Sequence, residues 1–373
     1  MKQPIANLPR LEALMERDGF DAVIARSGVN FTYLAGVAYP GTLGRHLDLA
    51  DSPRPVYVVW PRRGAPVAIV NPLADGLTRR DGCIQRVVVY NSYTDRPLAV
   101  LCTVLTELGL GDARIGCEES YFGGAQRAAL AAALPRLRLA DCTAMLDEVR
   151  WIKTPGEIAL LKRAADLLDE SFLEVFASMR EGETERSAHA RLVAACLMRG
   201  AAFAHGWMAS SRNTVPAGGQ GDTAFRRGDI VRTDYVAYLD GYPGHQSRNA
   251  VLGAPSSEQT AIYARVRDIY LATIAQCRPG VTAEAVFAFA AERFRAAGLP
   301  FKAALVGHSV GCWWHQQEPI FAPGRQVPLE PGMVVALEPY SNEWITQDLV
   351  LITPDGPKLL SDRFPTETLF RIG

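Results

Sequence analysis

The sequence lacks the features that would tie a chain to a membrane, to nucleic acid or to an oxidising compartment. Among 373 residues no apolar run approaches the roughly 20 that cross a bilayer. The opening stretch MKQPIANLPRLEALMERDGFD reads as an amphipathic helix start and has no apolar core of a secretory signal. A basic excess is missing too. The 39 Lys and Arg against 40 Asp and Glu leave a net charge of −1, which argues against a nucleic-acid or anionic-membrane partner. The seven cysteines (83, 102, 117, 142, 196, 277 and 312) are odd in number and form no CxxC pair, as expected of reduced thiols in a cytoplasmic protein. Low-complexity tracts and literal repeats are absent. What is present, 48% apolar and 21% charged residues, suffices for two domains that each bury a core.

Residues 1–150 alternate short β-rich runs with helical patterns. The predicted strands are DAVIA (21–25), PVYVVW (55–60), PVAIV (66–70), IQRVVVY (84–90) and RIGCE (114–118), with helical patterns near Leu11, Leu101 and Ala125. That order specifies an α/β layer domain. RHLDLADSPRP (45–55) is a polar, Pro-bearing loop. A boundary follows, because Thr154-Pro155-Gly156-Glu157 has the form of a capping box with Pro at the first helical position. In residues 151–373 further helices are expected after Thr184, from Ser257 and after Thr282. Strands are expected at DIVRTDYVAYL, SRNAVLG, MVVALEPY and DLVLIT. Helix pair, hairpin, helix pair, strands: the order reads as two related α+β halves.

Polar side chains interrupt these strands at a few places. In TDYVAYLDGYPGHQSRN (233–249) the Asp240-Gly241 pair signals a tight hairpin, which brings Asp234 near His245. His308 and His315 lie in VGHSVGCWWHQQEP, Glu338 in MVVALEPY, and Gln347 with Asp348 in ITQDLVLIT. Glu338 and Asp348 flank apolar runs, so at least one should point inward, where a carboxylate needs a cation or several hydrogen bonds. Cys312 reads as a small buried hydrophobe rather than a thiolate partner of His315. Of Trp313 and Trp314, one is expected to pack and the other to wall a pocket.

In this order and spacing the segments resemble the pita-bread superfamily of aminopeptidase P, prolidase, methionine aminopeptidase and creatinase. NFTYLAGV (30–37) is similar to its N-terminal-domain motif and VRWIKTPGEIALLKRA to its domain junction. GDIVRTDYVAYLDGYPGHQSRNAVLG, GHSVGCWWHQQEP, GMVVALEPY and ITQDLVLITPDG are similar to its successive active-site segments. The resemblance implies a creatinase-type α/β N-terminal domain (1–150), an α+β pita-bread catalytic domain (151–373), a homodimer and a small-molecule substrate. The family's peptidases hold two divalent metals with Asp, Asp, His, Glu and Glu. Carried over by position, the ligands here are Asp234, His245, His308, Glu338 and Gln347, so the two bridging acids are replaced. The resemblance further implies a proton-donating, substrate-contacting His315, and an Arg248 that pairs with a carboxylate of site or substrate. Arg45 and His46 are implied as substrate contacts reached across the dimer. The position of the creatinase histidine is Ala217, so that machinery is not carried over; His205 lies twelve residues before it.

Charge counting states the consequence. The family set carries four negative charges, whereas Asp, neutral His, His, Glu and Gln carry two, enough for one dication. Two metals about 3.5–4 Å apart without bridging anions repel strongly. His245, His308 and Glu338, with Asp234, suit a single Fe, Mn or Zn ion; a metal-free site is the competing expectation. The expected activity is hydrolysis of a C–N bond in a small nonstandard substrate such as an amide, amidine or modified amino acid. Glu338 is the expected base, with His308 and His315 assisting. A lyase, a mononuclear-iron oxidative enzyme, an Xaa-Pro-type dipeptidase and a non-catalytic binding module stand as alternatives on the same fold.

Overall fold

Each short β-branched run of the first 150 residues becomes a strand of one sheet. The structure is a computed structural model that describes residues 2–38, 54–215 and 219–373. Arg45, His46 and Ala217 therefore lie outside the described residues. Two compact units are present, one ending at Arg150 and one beginning at Trp151.

In the first unit the strands are β1 (Ala22–Ala25), β2 (Tyr57–Pro61), β3 (Val67–Val70), β4 (Arg86–Val89), β5 (Arg114–Cys117) and β6 (Arg138–Asp141), in the spatial order β4-β3-β2-β1-β5-β6. β1 is buried along its whole length, which explains an unbroken apolar AVIA where a one-sided strand would alternate. The helices are α1 (Leu8–Arg17), α2 (Gly28–Ala35), α3 (Pro72–Asp81), α4 (Pro97–Glu107), α5 (Gly124–Ala133) and α6 (Thr143–Trp151). NFTYLAGV proves to be most of α2, capped by Ser27 at its start and by left-handed Gly36 at its end. Glu118, 1% exposed, accepts hydrogen bonds from the Ser27 backbone (2.8 Å), the Ser27 hydroxyl (2.7 Å) and the Asn30 amide (2.6 Å), fixing that cap to the end of β5.

The second unit repeats a helix pair and a sheet. α7 (Pro155–Ser178) opens on the expected capping box of Thr154 and Glu157, and α8 (Glu185–Met198) on Thr184. β7 (Phe203–Ser210), β8 (Ile230–Leu239), β9 (Tyr242–Gln246) and β10 (Asn249–Leu252) follow. α9 (Ser257–Gln276) and α10 (Ala283–Ala296) are capped by Ser256 and Thr282. After them come β11 (Gly307–Gly311), β12 (Trp313–Ile320), β13 (Val334–Leu337), β14 (Tyr340–Ser341), β15 (Trp344–Ile345), β16 (Asp348–Thr353), β17 (Gly356–Leu359) and β18 (Phe370–Ile372). One sheet runs β18-β10-β8-β7 with β9 beside β8, the other β12-β11-β13-β16-β17, and β14 and β15 form a small ribbon. β8 and β9 join through Asp240 (φ 50°) and Gly241 (φ 86°), both left-handed as a two-residue hairpin turn requires. Among the described residues no helix is long and apolar enough to cross a membrane.

Candidate active site

Strand alternation and one cross-sheet bridge assemble the site. Asp234 lies on β8, and His245 on β9 sits opposite Val236, so the two side chains share a face two residues apart. Between β9 and β10, Ser247 pairs with Gln347 by backbone hydrogen bonds in both directions (3.3 and 3.2 Å), which ties the first sheet to the start of β16 in the second. His308 on β11 faces Ala336 of β13, and Glu338 follows the end of that strand.

The hairpin puts His245 Nε2 3.2 Å from Asp234 Oδ1, as the turn chemistry predicts. The same Nε2 lies 3.2 Å from the Gln347 amide nitrogen, and the Gln347 carbonyl accepts from the Ser247 hydroxyl at 2.8 Å. His245 and Ser247 are thus linked through the Gln347 carboxamide. His308 donates from Nδ1 to the Ser309 carbonyl (3.0 Å), which makes Nε2 its lone-pair atom, 3.8 Å from Glu338 Oε1. The rings of His245 and His308 stand 5.2 Å apart. Lys153 donates to the Ser309 hydroxyl at 2.8 Å and so steadies the strand behind His308. His245, His308 and Gln347 are buried, whereas the side chains of Asp234 and Glu338 are 28% and 12% exposed and form the accessible edge. Burial, and then the charge of Asp234, push the Glu338 carboxyl well above the usual carboxylate range.

Arg248 corrects its assignment as a substrate contact. It is 1% exposed, and its Nη2 lies 2.6 Å from Asp169 and 2.7 Å from Asp348. Nη1 donates to the carbonyls of Ser247 (3.0 Å) and Gln347 (2.7 Å). Burial pulls its pKa down but the two carboxylates pull it up further, so it stays charged. Asp348 also accepts from the Tyr270 hydroxyl. Asp348 is therefore the inward carboxylate the apolar flanks demanded, and it serves Arg248 rather than substrate. The spacing signal for Asp169 was present: it sits on α7 among buried Ala165, Leu168 and Phe172, where a charge needs a partner.

Trp314, half-buried, meets His245 edge-on at 5.2 Å and His205 at 5.1 Å, with Trp313 6.3 Å away from it. Trp314 thus packs against His245, and His205 of β7, which no sequence pattern demanded, joins them. Trp207, also on β7, sits opposite Asp234. Cys312 is buried, as its reading as a hydrophobe requires. His315 lies within β12, but its side chain is outside what the structure describes.

Among the described residues no group of three or more His, Cys, Asp or Glu has its donors gathered as a bound ion would gather them. The residue types around His308 are nonetheless ones that can ligate a divalent metal. His308 has its outer nitrogen anchored on a carbonyl, as metal-ligating imidazoles do, and Glu338, Asp234 and His245 supply two carboxylates and a second ring beside it.

Three kinds of comparison agree with this architecture. The family described as "Metallopeptidase family M24" matches residues 159–354, and "Creatinase/Prolidase N-terminal domain" matches residues 8–152. A probable dipeptidase PepE of Mycobacterium bovis is 30% identical over 278 residues, 67% of this chain and 74% of the relative. The X-Pro aminopeptidase structure from Thermotoga maritima superposes with a TM-score of 0.82 at 20% identity, covering 96% of this chain and 99% of that one. The dipeptidase PepE structure from Mycobacterium ulcerans gives 0.77 at 25% identity, covering 98% and 96%. The fold is a creatinase-type N-terminal domain followed by a pita-bread catalytic domain. With a matching catalytic region, a matching N-terminal region and peptidase relatives, this chain is a hydrolase that belongs to metallopeptidase family M24.

Proposed function

We propose that this hydrolase cleaves a C–N bond of a small nonstandard substrate, an amide, amidine or modified amino acid, at a site that holds at most one divalent metal. The observation that carries the reading is the chain Ser247–Gln347–His245, in which a carboxamide joins a hydroxyl to an imidazole where bridging carboxylates would have to stand. Two dications there would face each other with only Asp234 and Glu338 to balance them. A single Fe, Mn or Zn ion would be held by His245, His308 and Glu338 with Asp234 as a further oxygen, and would supply Lewis acidity toward a water. The protein's own groups do the rest. Burial keeps the Glu338 carboxyl protonated, so it would act as base toward a water only where a cation beside it favours its charged form, and as an acid otherwise; His308, pinned through Ser309 and Lys153, holds its Nε2 toward Glu338. Trp314 and His205 wall the substrate, and His315 assists as proton donor to the leaving nitrogen.

The test is metal content and turnover together. Purified protein should carry no more than about one equivalent of divalent metal per chain. The double substitution His245→Asp with Gln347→Glu should raise the count toward two by elemental analysis. A wild-type count of two would end the reading. Turnover is compared on simple amides and on Xaa-Pro dipeptides, because the relatives include proteins named as dipeptidases; faster dipeptide cleavage would return the chain to ordinary peptidase work.

A further inference from the structure

Arg232 stands two residues before Asp234 on β8, and strand alternation puts both side chains on one face. The register sets Ala209 of β7 and Asn249 of β10 opposite Arg232 and Trp207 opposite Asp234, so this is the face that carries the site. The arginine is 9% exposed. Its Nη2 donates to the carbonyls of Ser210 (2.7 Å) and Asn213 (2.8 Å), which fixes the guanidinium without neutralising it. Its Nε is buried with no acceptor. Among the described residues Arg232 forms no ion pair; burial pulls its pKa down, and Glu343 and Glu185 act on it only at longer range. The contrast with Arg248 is direct: that residue, 1% exposed, holds two carboxylates. A buried cation left without a counter-charge is costly, and its Nε–H remains a donor suited to a carboxylate oxygen.

We propose that Arg232 is a substrate-binding residue that pairs with a carboxylate of the substrate. This narrows the substrate class to small amides bearing an acid group, N-acyl amino acids being the simplest. The amide half of this assignment rests on the hydrolytic reading above; the carboxylate half does not.

The experiment is calorimetric titration of the full chain with N-acetylglycine and with N-acetylglycinamide, which differ only in the acid group. The acid should bind at least about tenfold more tightly. Arg232→Gln keeps an amide donor for the Ser210 and Asn213 carbonyls while removing the charge. It should weaken the acid about 10- to 100-fold and leave the amide unchanged. Arg232→Lys, with a point charge in place of the fork, should lie between. Equal affinity for the two probes, binding of neither, or unchanged acid binding in Arg232→Gln overturns the proposal. If Arg232→Gln does not fold, the wild-type preference and Arg232→Lys decide. Preference for the acid without any turnover would sink the hydrolytic reading alone, and turnover without preference would sink this one alone.

Discussion

At the scale of the residue, two buried charges outside the reacting groups govern how the protein responds to its solvent. Burial, opposed by the Thr154 backbone and then by Lys153, pushes the Glu157 carboxyl up to about 7 while it caps α7 and accepts from the Tyr242 hydroxyl at 3.2 Å. The folded protein therefore holds this proton more tightly than the unfolded chain, whose carboxyl titrates near 4.5. Its contribution is whole below about pH 4.5 and is lost as pH climbs through about 7. Glu157→Gln preserves the capping geometry and should match wild type in denaturant unfolding near pH 5. At pH 8 it should exceed wild type by about 1–3 kcal/mol. No pH-dependent difference would mean that Glu157 ionises normally. The second charge is Arg248. Arg248→Met leaves Asp169 and Asp348 buried without a counter-ion and should cost about 3–5 kcal/mol of unfolding free energy. A loss below about 1 kcal/mol would show that the cluster is not desolvated as described.

At the scale of the element, the hairpin β8–β9 and the helix α7 are mutually fitted. A Cβ on Gly244 would come within 2.4 Å of the Ala164 carbonyl, and Gln246 donates to the neighbouring Ala165 carbonyl at 2.9 Å. Gly244→Ala should therefore push β9, and His245 with it, off α7, at a cost of about 2–4 kcal/mol in denaturant unfolding. An unchanged midpoint would show that the hairpin floats. This level was the one most legible in the sequence. The Asp240-Gly241 turn declared the Asp234–His245 approach, because only left-handed residues close a two-residue hairpin and the register then follows. The Thr154 capping box declared the start of α7, and helical patterning placed α8, α9 and α10 after Thr184, from Ser257 and after Thr282. Less legible were α2, whose Ser27 cap is held by the distant Glu118, and β6, RLAD, too short and too polar to announce itself. The buried acids Asp169 and Asp348 were visible one by one, but not their pairing with Arg248: they are 79 and 100 residues away, and no local pattern encodes such a pairing. His205 was visible as a residue but not as a neighbour, since its meeting with Trp314 joins β7 to β12 across two sheets.

At the scale of the whole molecule, the family resemblance leads us to expect a homodimer, and sedimentation velocity should give about twice the chain mass over the micromolar range; a single-chain mass would dismiss it. The chelator response separates the chemistry. Exhaustive dialysis against a strong chelator should abolish C–N cleavage while leaving the unfolding midpoint within a few degrees, because the surrounding sheets are held by backbone pairing and by the Arg248 cluster rather than by an ion. Activity that persists would point to metal-free chemistry. That cluster also has a meaning for biosynthesis. As the polypeptide leaves the ribosome, Arg248 emerges with Asp169 already made and must wait a further hundred positions for Asp348. Until then the first sheet of the catalytic unit carries an incomplete charge triad and lacks β18, which closes its edge beside β10. A transcript cut between those two codons would yield a nascent chain unable to finish either half, a natural target for proteolytic clearance rather than a partly working enzyme.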